Sequence, residues 1–182
     1  FRSPKNPEAI FAYSLFQSSA GNWRKALSVV EEIPNKSRTA EMAVFQKSAW
    51  IHAQTELAKE LFDSNKVAQA NSLLLKVEQH LDKDESGTVT LVNAYNELGD
   101  TKRALNLIRK KIADNKAASN DLLISYANIL LETNQSIESF GVLQQLKTRS
   151  LTQEQKISFD ETSFNYTIKQ AELMSKIPSK SK

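Results

Sequence analysis

Residues 99–105, which read Gly-Asp-Thr-Lys-Arg-Ala-Leu, decide the fold of this chain. The glycine can adopt the left-handed backbone that ends a helix, and the aspartate after it can cap the next helix. Ala104, five positions after the glycine, is small enough to let two helices approach closely. The stretch therefore predicts the turn of a helical hairpin and the start of its second helix.

The same pattern occurs three more times along the chain. Residues 21–26 read Gly-Asn-Trp-Arg-Lys-Ala, residues 65–70 read Asn-Lys-Val-Ala-Gln-Ala, and residues 134–139 give a degenerate copy, Asn-Gln-Ser-Ile-Glu-Ser. The four copies start 44, 34 and 35 residues apart, and a period near 34 residues indicates stacked helix pairs. In each copy we expect the first residue to take a left-handed backbone and the second to cap the following helix.

Apolar residues at helical spacing surround each copy and predict an all-α chain without β-sheet. We predict helices at about 7–19, 22–33, 39–63, 66–81, 87–98, 101–114, 119–133, 136–147 and 152–176. The ten extra residues between the first two repeats lengthen the third helix. The last helix opens with a capping-box pattern at 152–155 and has no hairpin partner in the chain, so it is either a cap or the first half of a further repeat.

Composition agrees with helices joined by short turns. The 182 residues include only 4 glycines and 4 prolines, and 40% are hydrophobic. There is no cysteine, which excludes disulfides, thiolate metal sites and a cysteine nucleophile. No apolar run approaches the ~20 residues that span a bilayer, so we expect no membrane insertion by this segment.

Residue types that could bind a metal or take part in catalysis do not form recognisable groups in the sequence. His52 and His80 each lack a second metal ligand at the required spacing, and no phosphate loop, nucleophile elbow or catalytic acid pair occurs. We therefore expect a protein that is not an enzyme and holds no metal or cofactor. The net charge is only +3, and we interpret the basic run at 102–111 as a solvated helix face, with binding of phosphate or of an anionic surface as the alternative. Nucleic acid is not an expected partner.

The repeat pattern resembles the tetratricopeptide family across nearly the whole chain. The family's small position in the first helix is Ser14, Ala58, Val92 and Ala127, so the third repeat fits least well, and the family's tryptophan at the start of that helix is absent. The resemblance implies an α-solenoid of helix-turn-helix hairpins forming a right-handed superhelix. It implies one domain at 1–177, with repeats at about 7–34, 39–81, 85–116 and 119–149, a final helix at 152–176, and a disordered tail at 178–182.

In that family the first helix of each hairpin lines a concave binding groove. Transferring the family register to this chain gives the candidate binding residues Phe11, Leu15, Thr55, Lys59, Asn93, Asn96, Asn128 and Glu132. Asn93 and Asn128 stand at equivalent positions, where an amide can bond both a donor and an acceptor of a ligand backbone. The alternative is that these are ordinary polar residues of solvated helices.

Beyond the general repeat, the chain resembles the repeat region of the bacterial cellulose export family, which is the C component of cellulose synthase. The resemblance lies in residues 6–15, in 26–34 and in 57–70, together with the long helix between the first two repeats. It implies a periplasmic scaffold in an outer-membrane protein, which spaces or links the export channel and the synthase complex, binds protein partners of that complex and touches glucan weakly. The alternative is a general protein-interaction scaffold, periplasmic or cytoplasmic, unrelated to polysaccharide.

Overall fold

The computed structural model describes residues 6–81, 85–114 and 117–176, and the regular structure in these ranges is helical, with no strand. Its α-helices are α1 (Pro7–Ser19), α2 (Trp23–Val30), α3 (Ala40–Asp63), α4 (Val67–Gln79), α5 (Glu85–Glu97), α6 (Thr101–Asp114), α7 (Asn120–Glu132), α8 (Ser136–Lys147) and α9 (Gln153–Ser175). A short 3-10 turn at Asn35–Ser37 follows α2. The all-α prediction is confirmed.

The helix boundaries agree closely with the predicted ones, and the long helix α3 has 24 residues. The largest difference is the end of α2, which stops at Val30 instead of 33. Pro34 explains the earlier end, because it restricts the backbone of Ile33 and has no N–H to continue the helix. The predicted capping box of α9 is present, with the Thr152 hydroxyl accepting from the backbone N–H of Gln155 at 3.2 Å.

All four predicted turn residues take the left-handed backbone. The φ angles are 78° at Gly21, 60° at Asn65, 82° at Gly99 and 61° at Asn134. At Gly99 the backbone N–H donates to the Asn96 carbonyl at 3.0 Å, and the next N–H, of Asp100, reaches back to the Tyr95 carbonyl at 2.8 Å. The other three turns repeat this pair of bonds, which closes the end of the first helix and sends the chain into the second.

The capping role predicted for the residue after each turn holds only in the third repeat. There the Asp100 carboxylate accepts from the backbone N–H of Arg103 at 3.1 Å. For Asn22, Lys66 and Gln135 the prediction is wrong, because none makes a side-chain cap. Lysine has no acceptor, and the Asn22 amide instead donates to the Gln17 side chain at 3.2 Å.

The small residues lie where the two helices of each hairpin meet. Ser14, Ala58, Val92 and Ala127 on the first helices have no accessible surface, and the same is true of Ala26, Ala70, Ala104 and Ser139 on the second helices. Each pair is separated by the same number of residues along the chain. Close packing at these positions confirms the predicted hairpin register.

The chain divides into two compact units, Phe1–Asp82 and Lys83–Lys182. In the first unit α3 packs against α2 and α4, and one core cluster joins Val30, Ile33 and Met42. In the second unit α7 is the central helix, packed against α5, α6, α8 and α9. α9 lacks a hairpin partner but is not isolated, because it packs on α7 and α8.

The predicted single domain at 1–177 and its superhelix stay predictions. The tail at 178–182 and the end of the third repeat, at 115–116, lie outside the described residues.

Candidate binding surfaces

The eight candidate groove residues divide equally between the two units. The first unit contains Phe11, Leu15, Thr55 and Lys59, and the second contains Asn93, Asn96, Asn128 and Glu132. Each set is therefore a separate candidate surface.

The candidates of the first unit differ in how much they could offer a ligand. The Phe11 ring packs edge-on against Phe45, with ring centres 5.5 Å apart, and joins the core cluster of Val30. Thr55 is buried and its hydroxyl donates to the His52 carbonyl at 2.9 Å. Leu15, 41% exposed, and Lys59 stand on the surface. The two exposed side chains are therefore the more accessible of the four.

The candidates of the second unit are polar and lie on two neighbouring helices. Asn93 on α5 accepts a hydrogen bond of 2.9 Å from the hydroxyl of Ser125 on α7 through its side-chain oxygen. Asn128 and Glu132 occupy α7, half-buried and exposed respectively. This bond joins α5 to α7 beside the candidate amides and leaves the Asn93 side-chain N–H groups available for other acceptors.

Asn96, the remaining candidate of the second unit, has an unusual environment. Its side-chain oxygen is buried and accepts no hydrogen bond, although the residue as a whole is half-buried. A buried carbonyl without a donor costs free energy, so such atoms usually meet water or a ligand. The three asparagines of the second unit, Asn93, Asn96 and Asn128, are hereafter the amide surface. It can bond peptide groups or sugar hydroxyls.

The first unit contains a stacked pair that the sequence pattern did not predict. The Trp23 indole and the His52 imidazole lie parallel, with ring centres 3.8 Å apart and 7° between the planes. Burial lowers the pKa of His52, because the charged imidazolium is disfavoured away from water. Beside them Arg24 pairs with Glu60 and lies 3.7 Å from the Glu56 carboxylate, whose pKa burial raises. The sequence shows both rings but carries no signal that pairs them.

A polar cluster in the second unit is likewise absent from the sequence pattern. The Arg109 guanidinium on α6 donates to the Tyr126 hydroxyl at 3.1 Å and to the side-chain oxygens of Gln135 and Glu138, each at 2.6 Å. Tyr126 also donates to Glu138. Burial and that carboxylate raise the pKa of Tyr126. Arg109 therefore links its hairpin to the next one and is not part of an open basic face.

An apolar groove of about 430 Å³ lies between α3 and α4 in the first unit. It is lined by Leu57, Leu61, Ala68, Gln69, Ser72, Leu73 and Lys76. The sequence pattern placed the leucines on helices but did not indicate an open groove.

Within the described ranges, no three histidine or acidic side chains gather where they could hold a metal ion. Across the same residues, no helix is both long enough and apolar enough to cross a bilayer.

Two curated relatives carry the same name. The chain is 30% identical over 171 residues to cellulose synthase operon protein C of Xanthomonas axonopodis pv. citri (strain 306), covering 92% of this chain and 11% of that protein. It is 26% identical over 171 residues to cellulose synthase operon protein C of Pseudomonas fluorescens (strain SBW25), covering 94% of this chain and 13% of that protein. The chain thus spans a small part of the length of these relatives.

No protein-family model and no solved structure matches the chain. Each similarity nevertheless covers more than nine-tenths of the chain, and therefore most of its four hairpins. The turns and the small positions of these hairpins follow the tetratricopeptide pattern. Over more than nine-tenths of its own length, this chain is therefore similar to a small part of cellulose synthase operon protein C, and it is built of tetratricopeptide-type hairpins.

Proposed function

We propose that this chain is a non-catalytic scaffold segment of a cellulose export protein. In this proposal it lies in the periplasm, spaces or links the outer-membrane channel and the synthase complex, binds proteins of that complex and guides the glucan. The observation that carries the proposal is the similarity to cellulose synthase operon protein C over more than nine-tenths of the chain.

The arrangement of the hairpins supports binding rather than chemistry. The second unit contains the three candidate amides and one arginine cluster, and hydrogen bonds between helices hold Asn93 and Arg109. Amides and aromatic rings bind backbones and sugars but do not cleave them, since glycoside hydrolysis needs two carboxyl groups at opposite sides of the bond.

The amide surface favours a protein partner over tight glucan capture. Strong sugar sites combine hydrogen bonds with aromatic faces, and among the eight candidates the one aromatic, Phe11, packs into the core of the other unit. A peptide segment offers carbonyl acceptors to the side-chain N–H groups of Asn93 and Asn128, and N–H donors to the Asn128 side-chain oxygen. We therefore expect contact with cello-oligosaccharides to be weaker than micromolar in calorimetry.

The experiment is photocrosslinking in cells. A photoreactive amino acid at Asn128 should capture a protein of the cellulose synthase complex, whereas the same group at Asn71, exposed on α4 in the other unit, should not. A reporter fused to the chain should be active in the periplasm. Capture of proteins unconnected with cellulose, with unchanged cellulose output after deletion of the segment, would favour the general scaffold instead.

A further inference from the structure

The stacked pair of Trp23 and His52 presents an aromatic surface in a fixed orientation. Trp23 is the first residue of α2, His52 lies in the middle of α3, and both are half-buried. The imidazole covers one face of the indole at a ring distance of 3.8 Å, so the accessible part of the indole lies on its other face and along its edge. Because the stack already orders the indole, a ligand that packs on it loses little affinity to ordering that side chain.

Charged side chains border this ring. Arg24, the next residue of α2, pairs with Glu60 and lies 3.7 Å from the carboxylate of Glu56, and the Arg24, Glu56 and Glu60 side chains are 48%, 38% and 59% exposed. Glu56 and Glu60 follow His52 at intervals of four residues, which places all three on one side of α3. The surface therefore offers one ligand an aromatic ring together with hydrogen-bond donors and acceptors.

We propose that Trp23, Arg24, Glu56 and Glu60 form a binding site for glucose units of a β-1,4-linked glucan. A β-linked glucopyranose has hydroxyls around its rim and C–H groups on its two faces. The C–H groups can pack on the electron-rich face of the indole, while the rim hydroxyls bond the guanidinium and the carboxylates. The site deepens the proposed function and rests on it, since that function supplies the glucan.

The accessible area of the ring sets the strength of the site. A single indole with one face already covered offers little surface, so we expect a dissociation constant in the millimolar range. Such weak binding suits a polymer that moves past the chain and does not stop on it.

Tryptophan signals test the site directly. The chain has two tryptophans, so Trp50→Phe leaves Trp23 as the one indole reporter. Cellohexaose at about 10 mM, which nearly saturates a millimolar site, should shift the indole N–H signal in NMR spectra and change the fluorescence. Maltohexaose has α-linkages that coil the chain and turn its sugar faces out of line, so it should bind at least about tenfold more weakly.

Two exposed neighbours on α2 provide matched variants that leave the stack in place. Arg24→Gln should weaken cellohexaose binding several-fold, while Lys25→Gln should leave it unchanged. Absence of any Trp23 shift with cellohexaose, or equal shifts with maltohexaose, would overturn the site. Binding that Arg24→Gln does not weaken would refute the charged border.

The crosslinking at Asn128 separates this site from the proposed function. Capture of a cellulose synthase protein at Asn128 without a sugar shift at Trp23 would refute the glucan site and leave the scaffold. Sugar shifts at Trp23 without such capture would support the site and contradict the protein-binding part of the proposed function.

Discussion

The hydroxyl of Ser139 on α8 donates a 2.9 Å hydrogen bond to the carbonyl oxygen of Ala127 on α7. The first hairpin has the same bond with the residue types exchanged, since Ser14 on the first helix donates to the Ala26 carbonyl at 2.6 Å. In both hairpins the partners are 12 residues apart and buried. A small residue thus sets the distance between the helices, and a serine at either position adds a bond across the hairpin.

Replacing Ser139 should separate these two effects. Ser139→Ala keeps the size and loses the bond, so we expect a loss of about 0.5–1.5 kcal/mol in the free energy of unfolding. Ser139→Leu overfills a position without accessible surface and should cost at least about 1–3 kcal/mol. Urea denaturation measures both. Ser28→Leu, at an exposed serine of α2, should be nearly silent, and equal losses for Leu at 28 and 139 would contradict the hairpin register.

Gly99 and Gly141 form a matched pair that tests the effect of the left-handed backbone at a turn. A Cβ at Gly99 or at Gly141 would meet no atom within 4 Å, but only Gly99 has a positive φ, of 82°. Gly99→Ala should therefore destabilise the protein by roughly 1–2 kcal/mol through backbone strain alone. Gly141→Ala, within α8, should stabilise it by about 0.5–1 kcal/mol. Thermal melts of the two variants that shift in the same direction would disprove this account of the turns.

Much of the fold follows from short-range signals in the sequence. Gly21, Asn65, Gly99 and Asn134 mark turns because few residues tolerate a left-handed backbone, and the helices between them follow from apolar spacing. The predicted N-caps at Asn22, Lys66 and Gln135 are wrong because of their side chains. Lysine has no acceptor, the Asn22 amide bonds Gln17, and the Gln135 oxygen accepts from Arg109.

The binding surfaces are less predictable, for a physical reason. Arg109 meets Gln135 and Glu138 across 26 and 29 residues, and Trp23 stacks on His52 across an irregular repeat. Such pairs depend on how hairpins pack, which one sequence does not reveal. Assigning Asn93 and Asn128 to equivalent positions needs only the repeat register, whereas the orphan oxygen of Asn96 is visible only in the structure.

The Arg109 cluster should couple the third hairpin to the fourth. Arg109 and Glu138 are 40% and 44% exposed, so water screens their attraction and the pair alone should contribute about 0.2–1 kcal/mol. A double-mutant cycle with Arg109→Met and Glu138→Gln, followed by urea denaturation, measures that coupling. Lys110→Met, at the exposed neighbour on α6, should change stability little. Additive effects of Arg109→Met and Glu138→Gln would show that the contact is incidental.

Stability should depend on pH through His52. Burial lowers its pKa in the folded chain below the ordinary value of 6.5, so the unfolded chain binds a proton more readily. The contribution of the neutral His52 side chain to the free energy of unfolding is fully present above pH 6.5. It is lost as the pH falls from there through the pKa of His52 in the folded chain. The contribution of Glu56 to stability depends on pH in the opposite direction and at lower pH. Because burial raises the pKa of this carboxyl, its contribution is lost as the pH rises above 4.5.

Comparing the chain with His52→Gln isolates the histidine from the carboxylate. Urea midpoints measured between pH 4 and 8 should show a loss on the acid side of neutrality in the parent that the variant lacks. An identical pH profile for both would mean that burial does not lower the pKa of His52.

The amount of cellulose that cells deliver to the medium tests the central claim most directly. The gene should carry Asn93→Ala, Asn96→Ala and Asn128→Ala in one strain, and Asn71→Ala, Asn106→Ala and Asn165→Ala, all at exposed positions, in a control strain. With equal protein levels, we predict a several-fold loss of delivered cellulose in the first strain and normal output in the second. Normal cellulose output from the strain without the amide surface would contradict the claim that this surface serves cellulose export.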